Sequence, residues 1–442
     1  MSSRLKNVNK LFFDSSEKAI DEYDKILLGL PEGELKRCIS FNMFLLLKRE
    51  HAKENIFFKE KQSAKKIAIE KRKNGRYWEC VFYWEVFFKK GDVKSQEYKE
   101  ILANIDELIV REAYQESKYL IDIVAPYLPG NKNILQQKGR IYLCESDFSK
   151  AKENWMKYWD AARQSSDFRD ARVAKIENSR YPNETLFDVL SPAEASDKVK
   201  GGSKVCFYTA LFGGYDQLPD LLYKPEGVDF ICFSDTYFEA NGWEVRVVDI
   251  KQNDPILENR KYKICPHKYL GEYDYSCYVD SNIMFVGRIE TLLDRWLLGH
   301  DFVAWGHPDR SDIYSEMQAI LSSLRHSAEG LIEQYEWFKK QGVPAYTGLI
   351  EACFLWRKHS SKSVQSLMDQ WWDFVSNSKV KRDQPPLAYL MWKTNIRPSL
   401  LPKSLGNTRE NEFFFKAPHA KHPVSGSLFE SKDKKILSNT SQ

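Results

Sequence analysis

No two of the eight cysteines, at positions 38, 80, 144, 206, 232, 265, 277 and 353, stand in a Cys-x-x-Cys arrangement. Most fall inside apolar runs such as Val205-Cys-Phe-Tyr and Phe230-Ile-Cys-Phe. They read as buried, reduced thiols, which argues against a zinc site or a disulfide framework and fits the cytoplasm. Long apolar runs are missing as well. No window approaches the roughly 18 residues that a membrane span needs, and the first residues contain no apolar segment of the signal-peptide kind. An excess of one charge is also lacking: 66 Lys and Arg stand against 62 Asp and Glu, a net +4. That is too near balance for a protein whose affinity depends on neutralising nucleic-acid phosphates. The one strongly basic stretch, Lys59 to Lys66 and on to Arg72-Lys73, is ordinarily a solvated helix face, with a partner or membrane patch as its alternative. The expectation is a soluble cytoplasmic protein, at most peripheral to the inner face of a membrane.

Apolar material is plentiful. In a chain of 442 residues, 43% are hydrophobic and 14% aromatic, which excludes wholesale disorder and is too much chain for one ordinary core. Residues 1–180 hold few glycines or prolines and show helical periodicity. In Gly139 to Tyr158, small and aromatic residues recur at offsets resembling those of tetratricopeptide helix pairs. Gly139 and Ala151 would let two helices approach, with Tyr142, Phe148, Trp155 and Tyr158 filling the seam. Thirty-four positions before Phe148, Ala151, Trp155 and Tyr158 stand Tyr114, Ser117, Ile121 and Val124. A looser copy contains Gly75, Tyr77, Cys80, Trp84 and Phe87. The expected organisation is a tetratricopeptide-like helical domain over 1–180, with an irregular helical bundle as the alternative. Stacked helix pairs commonly offer a surface to a protein partner.

Residues 181–203, with two prolines and ending in Gly201-Gly202-Ser203, read as a linker. Beyond them the pattern alternates. Short apolar runs at Val205–Phe212, Val228–Ser234, Trp243–Asp249, Tyr275–Asp280, Asp301–Trp305 and Glu351–Trp356 read as strands. Ile256–Leu270, Ile313–Lys340, Ser361–Ser376 and Gln384–Lys393 read as helices. Such alternation implies an α/β domain over 204–425 with an open, largely parallel sheet; the polar, Lys-rich tail 426–442 reads as disordered.

Ligands of such sheets collect outside the carboxyl ends of the strands. There stand Thr209 with the Phe212-Gly-Gly-Tyr-Asp216 turn, Ser234-Asp235, Asp280-Ser-Asn282, and His307 to Arg310. Asp280 closes an apolar strand, where a carboxylate has no hydrophobic reason to be. Asp-x-Asn can converge two oxygens on a hard cation such as Mn²⁺ or Mg²⁺, which would bridge to a diphosphate and stabilise it as a leaving group. An Asx turn or strand-end cap is the plainer explanation. Arg260, Lys263 and His267 share one helical face that could meet phosphates, or could simply be solvated. Asp383, in Arg382-Asp-Gln384, is by default a helix N-cap.

Six segments occur in one order: Tyr208-Thr-Ala-Leu-Phe-Gly-Gly-Tyr-Asp216, Cys232-Phe-Ser-Asp235, Asn259-Arg-Lys-Tyr-Lys263, Tyr278-Val-Asp-Ser-Asn282, Glu351-Ala-Cys-Phe-Leu-Trp-Arg357 and Arg382-Asp-Gln384. Together they resemble the glycosyltransferase-like family of plant mucilage-related and turgor-regulation proteins, which has bacterial members and is similar to family 8 glycosyltransferases. The resemblance covers about half of the chain. It implies a GT-A-like (Rossmann-like) fold, a nucleotide-sugar donor, a divalent cation, and transfer to an unstated acceptor; a glycan, as in polysaccharide biosynthesis, a lipid-linked acceptor or a protein would each be consistent. It further implies that Thr209, Tyr215, Asp235, Arg260, Lys263 and Gln384 meet the donor, and that Glu351 and Asp383 face the sugar or acceptor. Asp383 would be the first candidate for a base. Asp280 and Asn282 would hold the metal with a C-terminal histidine, His419 being favoured over His422. Asn282 departs from the fuller glycosyltransferase pattern, which has a second Asp there, and a neutral amide oxygen binds a dication less strongly. Two other readings stand beside a transferase: a metal-dependent hydrolase, and a non-catalytic scaffold with a nucleotide-binding domain.

Overall fold

The computed structural model describes residues 16–31, 33–52, 61–89, 93–164, 182–193, 202–214, 216–250, 254–323 and 326–417. Tyr215, His419 and the tail 426–442 lie outside them. The chain divides into two compact units, residues 1–171 and 172–442.

Eight helices make up the described part of the first unit: α1 Ser16–Leu28, α2 Glu34–Ala52, α3 Lys61–Lys73, α4 Tyr77–Lys89, α5 Ser95–Val110, α6 Tyr114–Val124, α7 Lys132–Cys144 and α8 Phe148–Gln164. From α3 onward they come as hairpins with one recurring turn. Gly75, Glu112 and Ser146, each at the end of the first helix of a pair, all take positive φ, at 69°, 60° and 62°. The next amide in each case reaches back to a carbonyl of the helix: Arg76 N to Lys71 O, Ala113 N to Leu108 O and Asp147 N to Tyr142 O, all at 2.9 Å. This left-handed closure satisfies carbonyls that the helix end would otherwise orphan. In the last hairpin Trp155 is fully buried, and a Cβ added at Gly139 would come within 2.7 Å of its Nε1. Gly139 therefore sets the separation of α7 and α8.

The second unit is built on a seven-stranded sheet: β1 Val205–Leu211, β2 Val228–Ser234, β3 Glu244–Val247, β4 Tyr275–Val279, β6 Phe302–Gly306, β7 Ile350–Lys358 and β8 Ser399–Leu400. Their order is β3-β2-β1-β4-β7-β6-β8. All neighbours run parallel except β7, which is antiparallel to both β4 and β6. The central strands are apolar on both faces because helices cover both; β1 is buried along its whole length. A separate ribbon pairs β5 Ile283–Phe285 with β9 Phe414–Lys416.

Three expectations need correction. The single helix expected over 256–270 is two, α9 Pro255–Ile264 and α10 Pro266–Tyr269, because Pro266 cannot donate to the first helix and restarts the second. The helix expected over 313–340 is likewise two, α12 Ile313–Ser322 and α13 Ala328–Lys340, the latter capped by Ser327 Oγ, which accepts from Gly330 N; the short α11, Ile289–Leu292, precedes them. Residues 182–193 are not a free linker. Asn183 donates to His307 O and Arg310 O at 2.9 and 2.8 Å and accepts from Leu349 N at 2.8 Å, while Leu190 N reaches Leu400 O at 2.8 Å. Buried backbone must be paired, and this segment supplies the partners that the edge strand β8 needs. The remaining helices, α14 Lys362–Asn377 and α15 Gln384–Thr394, agree with their expected spans to within a residue.

Candidate functional site

A cleft of about 850 Å³ opens at the carboxyl ends of β1 and β4. Each element brings one part. Phe212 and Gly213 follow β1, and Asp280 follows β4. Because β7 is antiparallel, its opening residues lie beside the end of β4: Val279 pairs with Phe354, Asp280 N donates to Cys353 O at 3.1 Å, and Glu351 reaches the cleft. Helix α9 contributes Asn259, Arg260 and Lys263, the start of α15 contributes Arg382, Asp383 and Gln384, and the end of β9 contributes Lys416.

At the centre is a chain of opposite charges. Lys263 Nζ lies 2.6 Å from Asp383 Oδ2 and 4.0 Å from Asp280 Oδ1, over the ring of Tyr278. Arg260 Nε lies 3.6 Å from Asp383 Oδ1, and Lys416 Nζ 2.9 Å from Asp280 Oδ2. Burial pushes the Asp280 carboxyl up, but Lys416, Lys263 and Arg260 outweigh it and hold the group at about 2. Asp383 is buried too, yet Arg260, Lys263 and Arg382 hold it far below the usual carboxylate range. Lys416 is held above the ordinary lysine range: its own burial opposes this, and Asp280 outweighs it. The cleft lining thus carries Arg260, Lys263, Arg382 and Lys416 against Asp280, Glu351 and Asp383, one cation more than anions.

The cleft brings together Arg260, Lys263, Asp280, Glu351, Asp383 and Gln384 from the expected set. Gln384 Nε2 donates to Ile350 O at 2.8 Å. Asp383 stands at the start of α15 but makes no capping bond; its side chain turns to the cations instead. So placed, it is a counter-ion to Lys263 and Arg260. Thr209 is fully buried within β1 and does not line the cleft. Asp235 accepts from Gly213 N at 3.0 Å and so braces the β1 turn from outside the lining. His267, carried off the face of Arg260 and Lys263 by the break at Pro266, contacts Asp369 at 3.1 Å.

Sequence reasoning missed Lys416, Arg382 and Glu316. Glu316, on α12, receives Arg310 Nε at 2.6 Å and Arg382 Nη2 at 3.4 Å, and so aims Arg382 at the cleft. Nothing in the local pattern around Lys416 marks it, because β9 meets β5 only through a pairing across more than a hundred residues.

Of the donors expected for a divalent cation, Asp280 and Asn282 are described and His419 is not; the described ones are engaged by other groups. Both oxygens of Asp280 face ammonium groups. Asp383 is held by Lys263 and Arg260, and Glu351 by Thr408 and by Arg409 at 3.4 Å. Asn282 commits its Nδ2 to Ala417 O at 2.6 Å, leaving only a buried Oδ1. Among the described residues no group of three or more His, Cys, Asp or Glu is placed to hold a metal ion.

Fold and cleft define an α/β domain of the GT-A-like class. Residues 233–419 match the family model described as TOD1/MUCI70, glycosyltransferase-like domain, the family to which the ordered motifs point. The matched stretch runs from the end of β2 past Lys416 and so contains every charged residue of the cleft. Comparison with curated proteins returned no significant match. Among the described residues no helix is long and apolar enough to cross a membrane.

Proposed function

We propose that the second unit transfers a sugar from a nucleotide-sugar donor to a hydroxyl-bearing acceptor such as a glycan or lipid-linked sugar. The observation that carries this reading is the cluster of Lys263, Arg260 and Lys416 at the strand ends of a glycosyltransferase-like domain. A diphosphate there would meet charge-assisted hydrogen bonds from three side chains already oriented by Asp383 and Asp280. The bond between the anomeric carbon and the diphosphate oxygen breaks with its electron pair passing to the diphosphate. The acceptor oxygen bonds to that carbon and gives up its proton. Glu351 is the candidate to take it, because its nearest cation, Arg409, lies 3.4 Å away against 2.9 Å for Asp280 and 2.6 Å for Asp383.

A thermal-shift screen of nucleoside diphosphates and their sugars tests the reading, because a ligand of the native state raises apparent stability by an amount set by its concentration over Kd. At least one base should give a shift that grows with concentration. No shift from any of them at many times a plausible Kd would end the proposal.

A further inference from the structure

We propose that the cation acting on the leaving diphosphate is Lys416, with Lys263 and Arg260 beside it, and that donor binding needs no divalent ion; this rests on the nucleotide-sugar reading above. The first support is where the ammonium stands. A divalent ion on Asp280 would bind at roughly 2.0–2.6 Å from carboxylate oxygen. Lys416 Nζ already lies 2.9 Å from Oδ2, and Lys263 Nζ lies 4.0 Å from Oδ1. A dication on Oδ2 would have to displace Lys416, and one on Oδ1 would sit beside the Lys263 charge.

The second support is how Lys416 gets there. Strand β9 is pinned to β5, with Ile283 opposite Lys416, and Lys416 N donates to Arg409 O at 2.7 Å. Phe414, two residues earlier, is fully buried and stacks on Phe354. The lysine is thus delivered by an anchored strand.

The third support is Asn282. Its backbone carbonyl accepts from Ala417 N at 2.9 Å, and its side-chain Nδ2 donates to Ala417 O at 2.6 Å. An ionised carboxylate at this position has no hydrogen to donate and would face the carbonyl oxygen as a second acceptor. The amide that weakens a metal site is therefore the group that clamps the residue next to Lys416. One charge-assisted contact to Asp280 leaves two N–H groups of the ammonium for phosphate oxygens. As the glycosidic bond breaks, the electron pair passes to the diphosphate oxygen, and the ammonium stabilises the added charge without transferring its proton.

The test is isothermal titration of the full chain with UDP, GDP, ADP and CDP, in EDTA and in excess Mn²⁺, for the wild type, Lys416→Met, Lys416→Arg and Asn282→Asp. Wild-type affinity for the diphosphate that binds should be the same in both buffers within about threefold. Lys416→Met should lose about tenfold or more in EDTA, the equivalent of one charge-assisted contact, while Lys416→Arg retains most of it. Asn282→Asp should weaken binding in EDTA and regain it with Mn²⁺. Wild-type binding that appears only with Mn²⁺ would overturn the inference while leaving the transferase reading intact. A Lys416→Arg protein that binds no better than Lys416→Met, both remaining folded by circular dichroism, would also overturn it. If no nucleoside diphosphate binds in either buffer, the nucleotide-sugar reading falls and takes this inference with it.

Discussion

Lys263 illustrates how a single side chain is both buried and functional. It is 4% exposed, and its charge is tolerated because Asp383 and the ring of Tyr278 surround it. Its backbone is held as well: the carbonyl accepts from Arg357 Nη1 at 2.9 Å and from Tyr208 OH at 3.0 Å. Replacing Lys263 with Met would strand the Asp383 carboxylate, and breaking a buried pair from one side costs about 3–5 kcal/mol. Lys263→Met should therefore lower the urea midpoint as well as diphosphate affinity; an unchanged midpoint would mean that Asp383 is satisfied without it. Asp280 makes a pH-dependent contribution of definite sign. Its folded pKa, about 2, is below the value of about 3.9 expected in the unfolded chain, so the unfolded state takes up the proton first. The stabilisation is complete above about pH 4 and is lost as the pH falls towards the folded value. Urea midpoints of wild type and Asp280→Asn should differ most above pH 4 and converge on the way to pH 2. Curves that stay parallel through that window would rule out this contribution.

At the scale of elements, the ribbon of β5 and β9 carries Lys416 to the cleft. Its approach depends on Gly287. Val286 N and Gly287 N both donate to Phe413 O, at 2.8 and 3.0 Å, and a Cβ at Gly287 would lie 2.8 Å from Phe413 Cα and collide with Glu412 O. Backbone atoms cannot step aside as a flexible side chain can, so Gly287→Ala should push β9 outward. We expect a stability loss of about 1–3 kcal/mol, typical of overpacking, together with weaker diphosphate binding because Lys416 moves with the strand. Unchanged affinity in a destabilised protein would show that Lys416 does not depend on the ribbon. Neither the ribbon nor the reversed direction of β7 is legible in the sequence. An apolar run such as Ala352–Trp356 has no polarity along the chain, and three residues such as Ile283–Phe285 are too few to show a period. The helices of the first unit were more legible, since their burial repeats at Ser117, Ile121 and Val124 and again at Ala151, Trp155 and Tyr158.

For the molecule as a whole, the boundary of the second unit lies earlier than the composition suggests. Residues 182–193 look like a linker because prolines and small polar residues dominate, yet Asn183 and Phe187 pack into the unit. Phe187 lies so close to Gly348 that a Cβ there would overlap its ring. A chain beginning at Pro182 should keep these contacts, and one beginning at Gly202 should lose them. Three hydrogen bonds at about 1 kcal/mol each and a buried Phe worth about 1.5–3 kcal/mol put the deficit on the order of 4 kcal/mol or more. Equal urea midpoints for the two chains would show that the segment is only laid against the sheet.

The sequence by itself determined the two-part organisation, the alternation of strand and helix, and the placement of Asp280 at a strand end. Those features follow from local periodicity and from the rule that strand ends gather ligands. Only the tertiary structure decided what those residues do. The partners of Asp280, Asp383 and Asn282 come from distant segments, and an Asp reads the same in sequence whether it awaits a metal or already holds a lysine. Which charge neutralises a buried carboxylate depends on distances of a few ångströms, and those are set by packing between elements far apart in the chain.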